Sequence, residues 1–77
     1  MIIVCMYDRV AKQYGMPQVF VNKGVAVRDF NNKLASVPFK DDIDLYAVGS
    51  FDSETGSLVG LDKPEFICHY SQEVNNE

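Results

Sequence analysis

The sequence has few of the features that mark several large classes of protein. Its 77 residues include no tryptophan, three prolines and two cysteines, and two cysteines are too few for a disulfide-stabilised secreted domain. No apolar run approaches the roughly 20 residues of a membrane-spanning helix. No basic segment precedes the first apolar stretch, as it would in a signal peptide. We therefore expect an unprocessed, soluble cytosolic protein with no membrane association, in which Cys5 and Cys68 are reduced and packed as small hydrophobic residues.

The groups that catalysis and metal binding require are also scarce. His69 is the single histidine, and no identifiable serine or cysteine partner completes a catalytic triad with it. No C-x-x-C or H-x-x-H pair is present to bind zinc, the acidic residues at 41–44 lack the pattern of a calcium loop, and there is no glycine-rich phosphate loop. We expect a protein that is not an enzyme and has no catalytic residues, no metal, no cofactor and no small-molecule substrate.

The composition that remains is that of a small folded domain. Hydrophobic residues make up 47% and charged residues 23% of the chain, which are ordinary values for globular proteins. A chain of this length forms one domain with a thin core. We expect a single domain over residues 1–70 and a flexible polar tail over residues 71–77.

Local patterns in the first half predict two helical segments between strands. Residues 2–7 are apolar on both strand faces, as in a central strand. Asp8 can cap a short helical turn over residues 9–14, with Gly15 at its C-terminal end. A short strand at 18–21 precedes the main amphipathic helix, predicted over residues 23–36 after an Asn22 cap. The apolar stripe of this helix consists of Val27, Phe30, Leu34 and Val37.

The second half predicts strands only. Residues 44–51 alternate as a strand, a turn around Gly56 leads to a returning strand at 57–61, and a last strand covers 65–70. The order of elements indicates an α+β fold with a mainly antiparallel sheet of four to five strands. One helix covers only one face of such a sheet. The candidates for the uncovered face are Tyr7, Tyr46, Tyr70 and Phe66.

Charge is unevenly distributed along the chain. The net charge of −4 argues against a histone-like binder whose affinity comes from an excess of cations. Residues 1–40 nevertheless carry six lysines and arginines against two aspartates, whereas residues 41–77 carry one lysine against nine acids. If the halves stay apart in space, this asymmetry indicates polyanion binding or self-association. If they intermix, the charges cancel, and both arrangements are open.

Several cations of the first half alternate with aromatic residues. Single-stranded nucleic acid is bound by this combination, because cations follow the phosphates while rings stack on bases. On the predicted helix, Arg28 and Lys33 lie about 140° apart, so the helical cations do not form one row. The alternative is that Tyr14 and Phe20 belong to the core and the cations only maintain solubility. The candidate nucleic-acid-binding residues are Arg9, Lys12, Lys23, Arg28 and Lys33, with Tyr7 and Tyr14 for base stacking.

Three sequence motifs, in a fixed order, resemble those of a known family. They are Tyr7-Asp8-x-x-Ala11-x-x-Tyr14 with Pro17 and Phe20, then Asn22-x-Gly24-x-Ala26-x-Arg28-x-Phe30, then Leu45-Tyr46-x-Val48-Gly49-x-Phe51-Asp52-x-x-Thr55-Gly56. They resemble the small nonstructural protein of gokushovirus-type microviruses, which are single-stranded DNA bacteriophages, and the resemblance covers roughly residues 5–60. The connector between the helix and the strand at Leu45 is shorter here than in that family.

The resemblance implies a nonstructural phage protein that binds DNA, the single strand in particular, during genome replication or packaging in the cytoplasm of the host bacterium. It supplies no catalytic residue. Arg28 is the one matched cation and therefore the first candidate for a phosphate or stacking contact. Asp8 and the segment 52–56 fit turn chemistry.

The acidic second half opposes DNA binding by a monomer that mixes its charges. A homodimer that places two basic halves side by side removes this difficulty and covers the exposed sheet face. The alternative function is a non-enzymatic protein–protein interaction module, a homodimer that binds a phage or host protein and has no role with nucleic acid.

Overall fold

A computed structural model describes residues 1–70 as one helix lying against an antiparallel sheet, which confirms the α+β fold. The predicted tail at 71–77 lies outside the described residues. The elements in chain order are β1 (Ile2–Asp8), β2 (Gln13–Tyr14), β3 (Gln18–Phe20), α1 (Lys23–Leu34), a 3₁₀ turn (Lys40–Asp42), β4 (Ile43–Asp52) and β5 (Ser57–His69).

The sheet is built around β1 and β4, and β1 pairs along its full length with residues 43–50 of β4. Its strand order is β2-β1-β4-β5, and every pair is antiparallel. The short strand β3 also pairs with β1, through Ile2, Ile3 and Val4, while β2 pairs with Tyr7 and Asp8. Strand β5 therefore forms one edge of the sheet, and β2 and β3 together form the other.

The core lies between α1 and one face of the sheet. The helix begins after Asn22, whose side-chain oxygen Oδ1 accepts a hydrogen bond from the Val25 amide at 3.0 Å, as expected for an N-cap. Phe30 and Leu45 are almost completely buried. The helix ends at Leu34, two residues before the predicted end at 36. The core consists of Val4, Ala26, Phe30, Leu34, Ile43 and Leu45.

The helical segment predicted over residues 9–14 is wrong beyond its first turn. Asp8 does cap this turn, because its carboxylate oxygen Oδ1 accepts from the Val10 and Ala11 amides at 2.9 and 3.0 Å. Lys12, rather than Gly15, takes the left-handed conformation, with a φ of 60°. A left-handed residue ends helical propagation, so the chain reverses there. Residues 13–14 then pair with β1 as strand β2.

Strand β5 joins two segments that the sequence predicts as separate strands. Its pairing with β4 is interrupted where Ala47 faces Glu65 and Gly49 faces Gly60, which leaves residues 61–64 opposite Val48 as a bulge. Gly49 is required at this point because a Cβ atom there would lie 2.4 Å from the Val59 carbonyl oxygen. The strand is thus continuous but strongly bent.

Within residues 1–70 no helix combines the length and apolar character that crossing a bilayer would demand.

Candidate functional site

The sheet face opposite α1 carries a group of aromatic rings that no helix of the described residues covers. Because successive side chains of a strand point to opposite faces, Val4 and Leu45 pack on the helix side, whereas Tyr7 and Tyr46 point the other way. The rings are drawn from four strands, β2, β1, β4 and β5. We call Tyr7, Tyr14, Tyr46 and Phe66 the open-face cluster.

Strand register brings the four rings into contact. Tyr7 pairs with Tyr14 across β1 and β2, and Tyr46 pairs with Phe66 across β4 and β5. The ring centroids of Tyr7 and Tyr14 are 4.5 Å apart, and those of Tyr46 and Phe66 are 5.7 Å apart. Tyr46 also lies 5.8 Å from Tyr7 and 5.6 Å from Tyr14 in edge-to-face geometry. The cluster is therefore one continuous aromatic surface rather than two separate pairs.

The two ends of the cluster are exposed and its middle is partly shielded. Tyr14 is 46% exposed and Phe66 51% exposed, whereas Tyr7 and Tyr46 are half-buried. Desolvation, followed by the neighbouring Tyr46 and Tyr7 hydroxyls, raises the pKa of Tyr14, so the ring is neutral at physiological pH. Neutral, exposed rings of this kind can stack on bases.

A buried carboxylate lies beside the cluster. Asp44 pairs with Tyr7 on β1 and with His69 on β5, and its side chain is only 4% exposed. Its oxygen Oδ1 lies 2.7 Å from His69 Nδ1, and its oxygen Oδ2 lies 3.1 Å from Arg9 Nε. Both oxygens are therefore satisfied, as a buried carboxylate requires.

Arg9 and His69 extend the aromatic surface with polar groups. The His69 ring lies 4.9 Å from the Phe66 ring, and its side chain is 67% exposed. Arg9 Nη2 also donates to the Asp41 carbonyl oxygen, and the Arg9 amide donates to the Asp42 carbonyl oxygen at 2.9 Å. These contacts fix the position of a half-exposed guanidinium next to the cluster.

The structure brings together only part of the predicted binding set. Tyr7, Tyr14 and Arg9 share the open face, and Lys12 lies in the turn that joins β1 to β2. The remaining predicted cations, Lys23, Arg28 and Lys33, all belong to α1, which packs on the opposite side of the sheet.

Within residues 1–70, one ion pair joins the two halves of the chain, that of Arg9 with Asp44. Lys33 Nζ pairs instead with Asp29 Oδ2 of its own helix at 3.0 Å and donates to Gln18 Oε1 at 3.3 Å. Within residues 1–70, Lys12, Lys23 and Arg28 form no ion pair. Cancellation of charge between the halves is thus partial over the described part of the chain.

The sequence correctly predicts that Tyr46 and Phe66 lie on the uncovered face of the sheet. The prediction that Tyr70 lies there is wrong. Leu45 pairs with Cys68 and Tyr46 with Phe66, so Ile67 is an extra residue in β5. After a one-residue bulge, each later side chain of the strand points to the opposite face of the sheet. Tyr70 therefore packs against the core on the helix side, and His69 turns to the open face. The alternation of apolar residues gives no signal of this bulge.

No three histidine, cysteine, aspartate or glutamate side chains among residues 1–70 are grouped so that they could hold a metal ion.

Cys5, which pairs with Tyr46 across β1 and β4, is buried, and desolvation raises the pKa of its thiol. Desolvation and the nearby Asp44 carboxylate raise the pKa of the Cys68 thiol. Both thiols are therefore protonated at neutral pH and poor nucleophiles.

Comparison with protein families gives a match over nearly the whole chain. The family described as Phage ORF5 protein matches residues 1–73, a range that includes the whole sheet, the helix and the open-face cluster. No curated protein and no solved structure matches the chain significantly.

Proposed function

The chain belongs to the Phage ORF5 protein family, and from this premise we propose that it binds single-stranded DNA during phage genome replication or packaging. The DNA strand lies across the open-face cluster, with its bases on the rings and its phosphates at the neighbouring cations. The sequence resemblance to a protein of single-stranded DNA phages supports the choice of polymer.

The observation that carries the proposal is the continuous aromatic surface on the sheet face opposite α1. A contiguous exposed apolar patch marks an interaction surface, and four rings from four strands meet here. Stacking of a base on an aromatic side chain contributes about 1–3 kcal/mol and tolerates any base. Tyr14 and Phe66, the most exposed members, are the first platforms for stacking.

The electrostatic contribution comes from the end of the cluster nearest the β1–β2 turn. Arg9 is held beside the cluster by Asp44, and Lys12 forms no ion pair within the described residues. With a net charge of −4, long-range attraction of DNA is weak. Affinity therefore depends on stacking and on a few local phosphate contacts, and it falls as salt is added.

The test is fluorescence anisotropy of a labelled oligothymidylate titrated with the protein at several salt concentrations. We expect saturable binding whose log affinity falls against log salt by about 0.7 for each phosphate contacted. Lys12→Ala should reduce this slope by about one contact.

Arg28→Ala is the matched control, because Arg28 lies on the helix side. If the slope of log affinity against log salt falls with Arg28→Ala and not with Lys12→Ala, the DNA lies against α1 instead of the open-face cluster. Absence of binding at low salt would refute the proposed function altogether.

A second candidate is a homodimer or protein-binding module that uses β5. This edge strand exposes three large aliphatic side chains, Leu58, Val59 and Leu61. The bulge at 61–64 and Pro64 interrupt its outer edge, which disfavours strand-to-strand association and leaves side-chain contact as the mode. Light scattering distinguishes a monomer of 8.7 kDa from a dimer of twice that mass, and Leu58→Asp should dissociate the dimer.

A further inference from the structure

Resting on the proposed function, we propose that Asp44 holds Arg9 and His69 as a phosphate-binding pair at the edge of the open-face cluster, and that this pair is completed when His69 gains a proton. The ligand is a backbone phosphate of the bound single strand. Binding is therefore coupled to proton uptake at one residue.

The geometry positions both side chains with donors to spare. Asp44 is buried and contacts Arg9 through one oxygen and His69 through the other, so the two side chains flank a single carboxylate. The guanidinium has five N–H donors, and the contacts with Asp44 and with the Asp41 carbonyl use only two nitrogens. The remaining donors of Arg9 are available to an anion.

The hydrogen bond to Asp44 decides what the outer nitrogen of His69 can do. Because a carboxylate only accepts, Nδ1 must be the nitrogen that carries hydrogen in the neutral ring. Nε2 is then an acceptor, and it repels the oxygen of a phosphate. Protonation converts Nε2 into a donor and leaves the bond to Asp44 intact. A single proton thus changes this position from repelling a phosphate to binding one.

The net charge of these side chains also favours phosphate binding when His69 is protonated. Asp44 and Arg9 cancel, so the trio of Asp44, Arg9 and His69 has no net charge when the imidazole is neutral and a charge of one positive unit when it is protonated. Around the trio lie the Phe66 ring beside His69 and Tyr7 opposite Asp44. On the Arg9 side lie two further acidic residues, Asp41 and Asp42, which contact Arg9 through their backbone carbonyl oxygens. Cys68, the neighbouring thiol, has a pKa raised by burial and by Asp44 and stays neutral in the range where histidine titrates. No second carboxylate among residues 1–70 contacts His69.

The experiment measures oligothymidylate binding by anisotropy at about pH 7.5 and about pH 5.5, the range in which histidine changes charge. Thymine does not titrate in this range, so the ligand is constant. For the wild type we expect about threefold to fivefold tighter binding at the lower pH, as for an exposed charge pair. The salt slope should also steepen by about 0.7, the signature of one added phosphate contact.

Two substitutions assign the effect to His69, the only histidine in the chain. His69→Gln keeps a polar side chain that cannot be protonated, so affinity and slope should agree at the two pH values. His69→Lys carries a permanent charge, so the steeper slope should be present at both. Circular dichroism confirms that each variant is folded.

The outcomes separate this inference from the proposed function. Wild-type binding that is equal at both pH values overturns the inference and leaves single-strand binding standing. A pH effect that persists in folded His69→Gln also overturns it, since another group would be titrating. Wild-type protein that binds at neither pH refutes both proposals.

Discussion

Removal of the Phe66 ring isolates the contribution of stacking at the open-face cluster. Phe66 is 51% exposed and contacts Tyr46 and His69 through its ring. Phe66→Ala therefore removes a stacking platform while it deletes little buried surface. The fold should survive with only a modest loss of stability, well below that of a core deletion.

The expected loss of affinity follows from the stacking energy. One base on one ring contributes about 1–3 kcal/mol, which corresponds to about fivefold to 150-fold weaker binding of oligothymidylate. The salt slope should not change, because no phosphate contact is lost. Phe66→Tyr retains the ring and should bind within about twofold of the wild type.

The assay is anisotropy at constant salt, supported by quenching of tyrosine fluorescence, since the chain has no tryptophan and four tyrosines. Leu58→Ala provides the matched control, because Leu58 lies on the same strand and is 68% exposed. Equal loss of affinity in Phe66→Ala and Leu58→Ala would show that apolar exposure on β5, rather than stacking, governs binding. No loss in Phe66→Ala would refute stacking on this ring.

Three further predictions concern the fold that presents the cluster. Phe30→Ala should lower the free energy of unfolding in urea by about 3–5 kcal/mol, because Phe30 is almost completely buried beneath the sheet. Gly49→Ala should lower the thermal midpoint and weaken the β4–β5 pairing in amide exchange, because its Cβ would meet the Val59 carbonyl oxygen at 2.4 Å; an unchanged midpoint would contradict the close approach. The Glu54 amide donates to Asp52 Oδ1 at 2.9 Å and lowers the pKa of this carboxyl below 3.8. The stability that Asp52 contributes is thus present above about pH 3.8 and lost as the pH falls through the lower folded value, so Asp52→Ala should destabilise the protein at neutral pH and make little difference at about pH 2.

Much of the fold is predictable from local patterns because those patterns coincide with the tertiary contacts. The spacing of Phe30 and Leu34 identifies the buried side of α1, and the Asn22 cap marks its start. The antiparallel sheet follows from apolar strands joined by short turns. These features depend on residues that are close in sequence.

The features that sequence alone does not predict depend on residues far apart in the chain. The left-handed conformation of Lys12 lets β2 pair with β1, although glycine is the usual residue for such a φ. The bulge at Ile67 depends on the pairing of β5 with β4, and it exchanges the faces of His69 and Tyr70. Neither event leaves a mark in the alternation of polar and apolar residues.

The candidate site is predictable for its rings and less so for its charges. Tyr7 and Tyr14 lie together on the open face, as the alternation of aromatic residues and cations predicts. The cations of α1 are separated from them by the sheet. Spacing along the chain does not specify the layer to which a side chain belongs. The Asp44 contact with Arg9 and His69 joins residues 35 and 25 positions apart and could be found only in the folded chain.

The most direct measurement is an NMR titration of the aromatic carbon–proton resonances with unlabelled oligothymidylate. Stacking on the open face predicts large shifts for the rings of Tyr14, Phe66, Tyr7 and Tyr46, with little change at the buried Phe30. Unchanged resonances of these four rings at saturating oligothymidylate would contradict DNA binding on this face of the sheet.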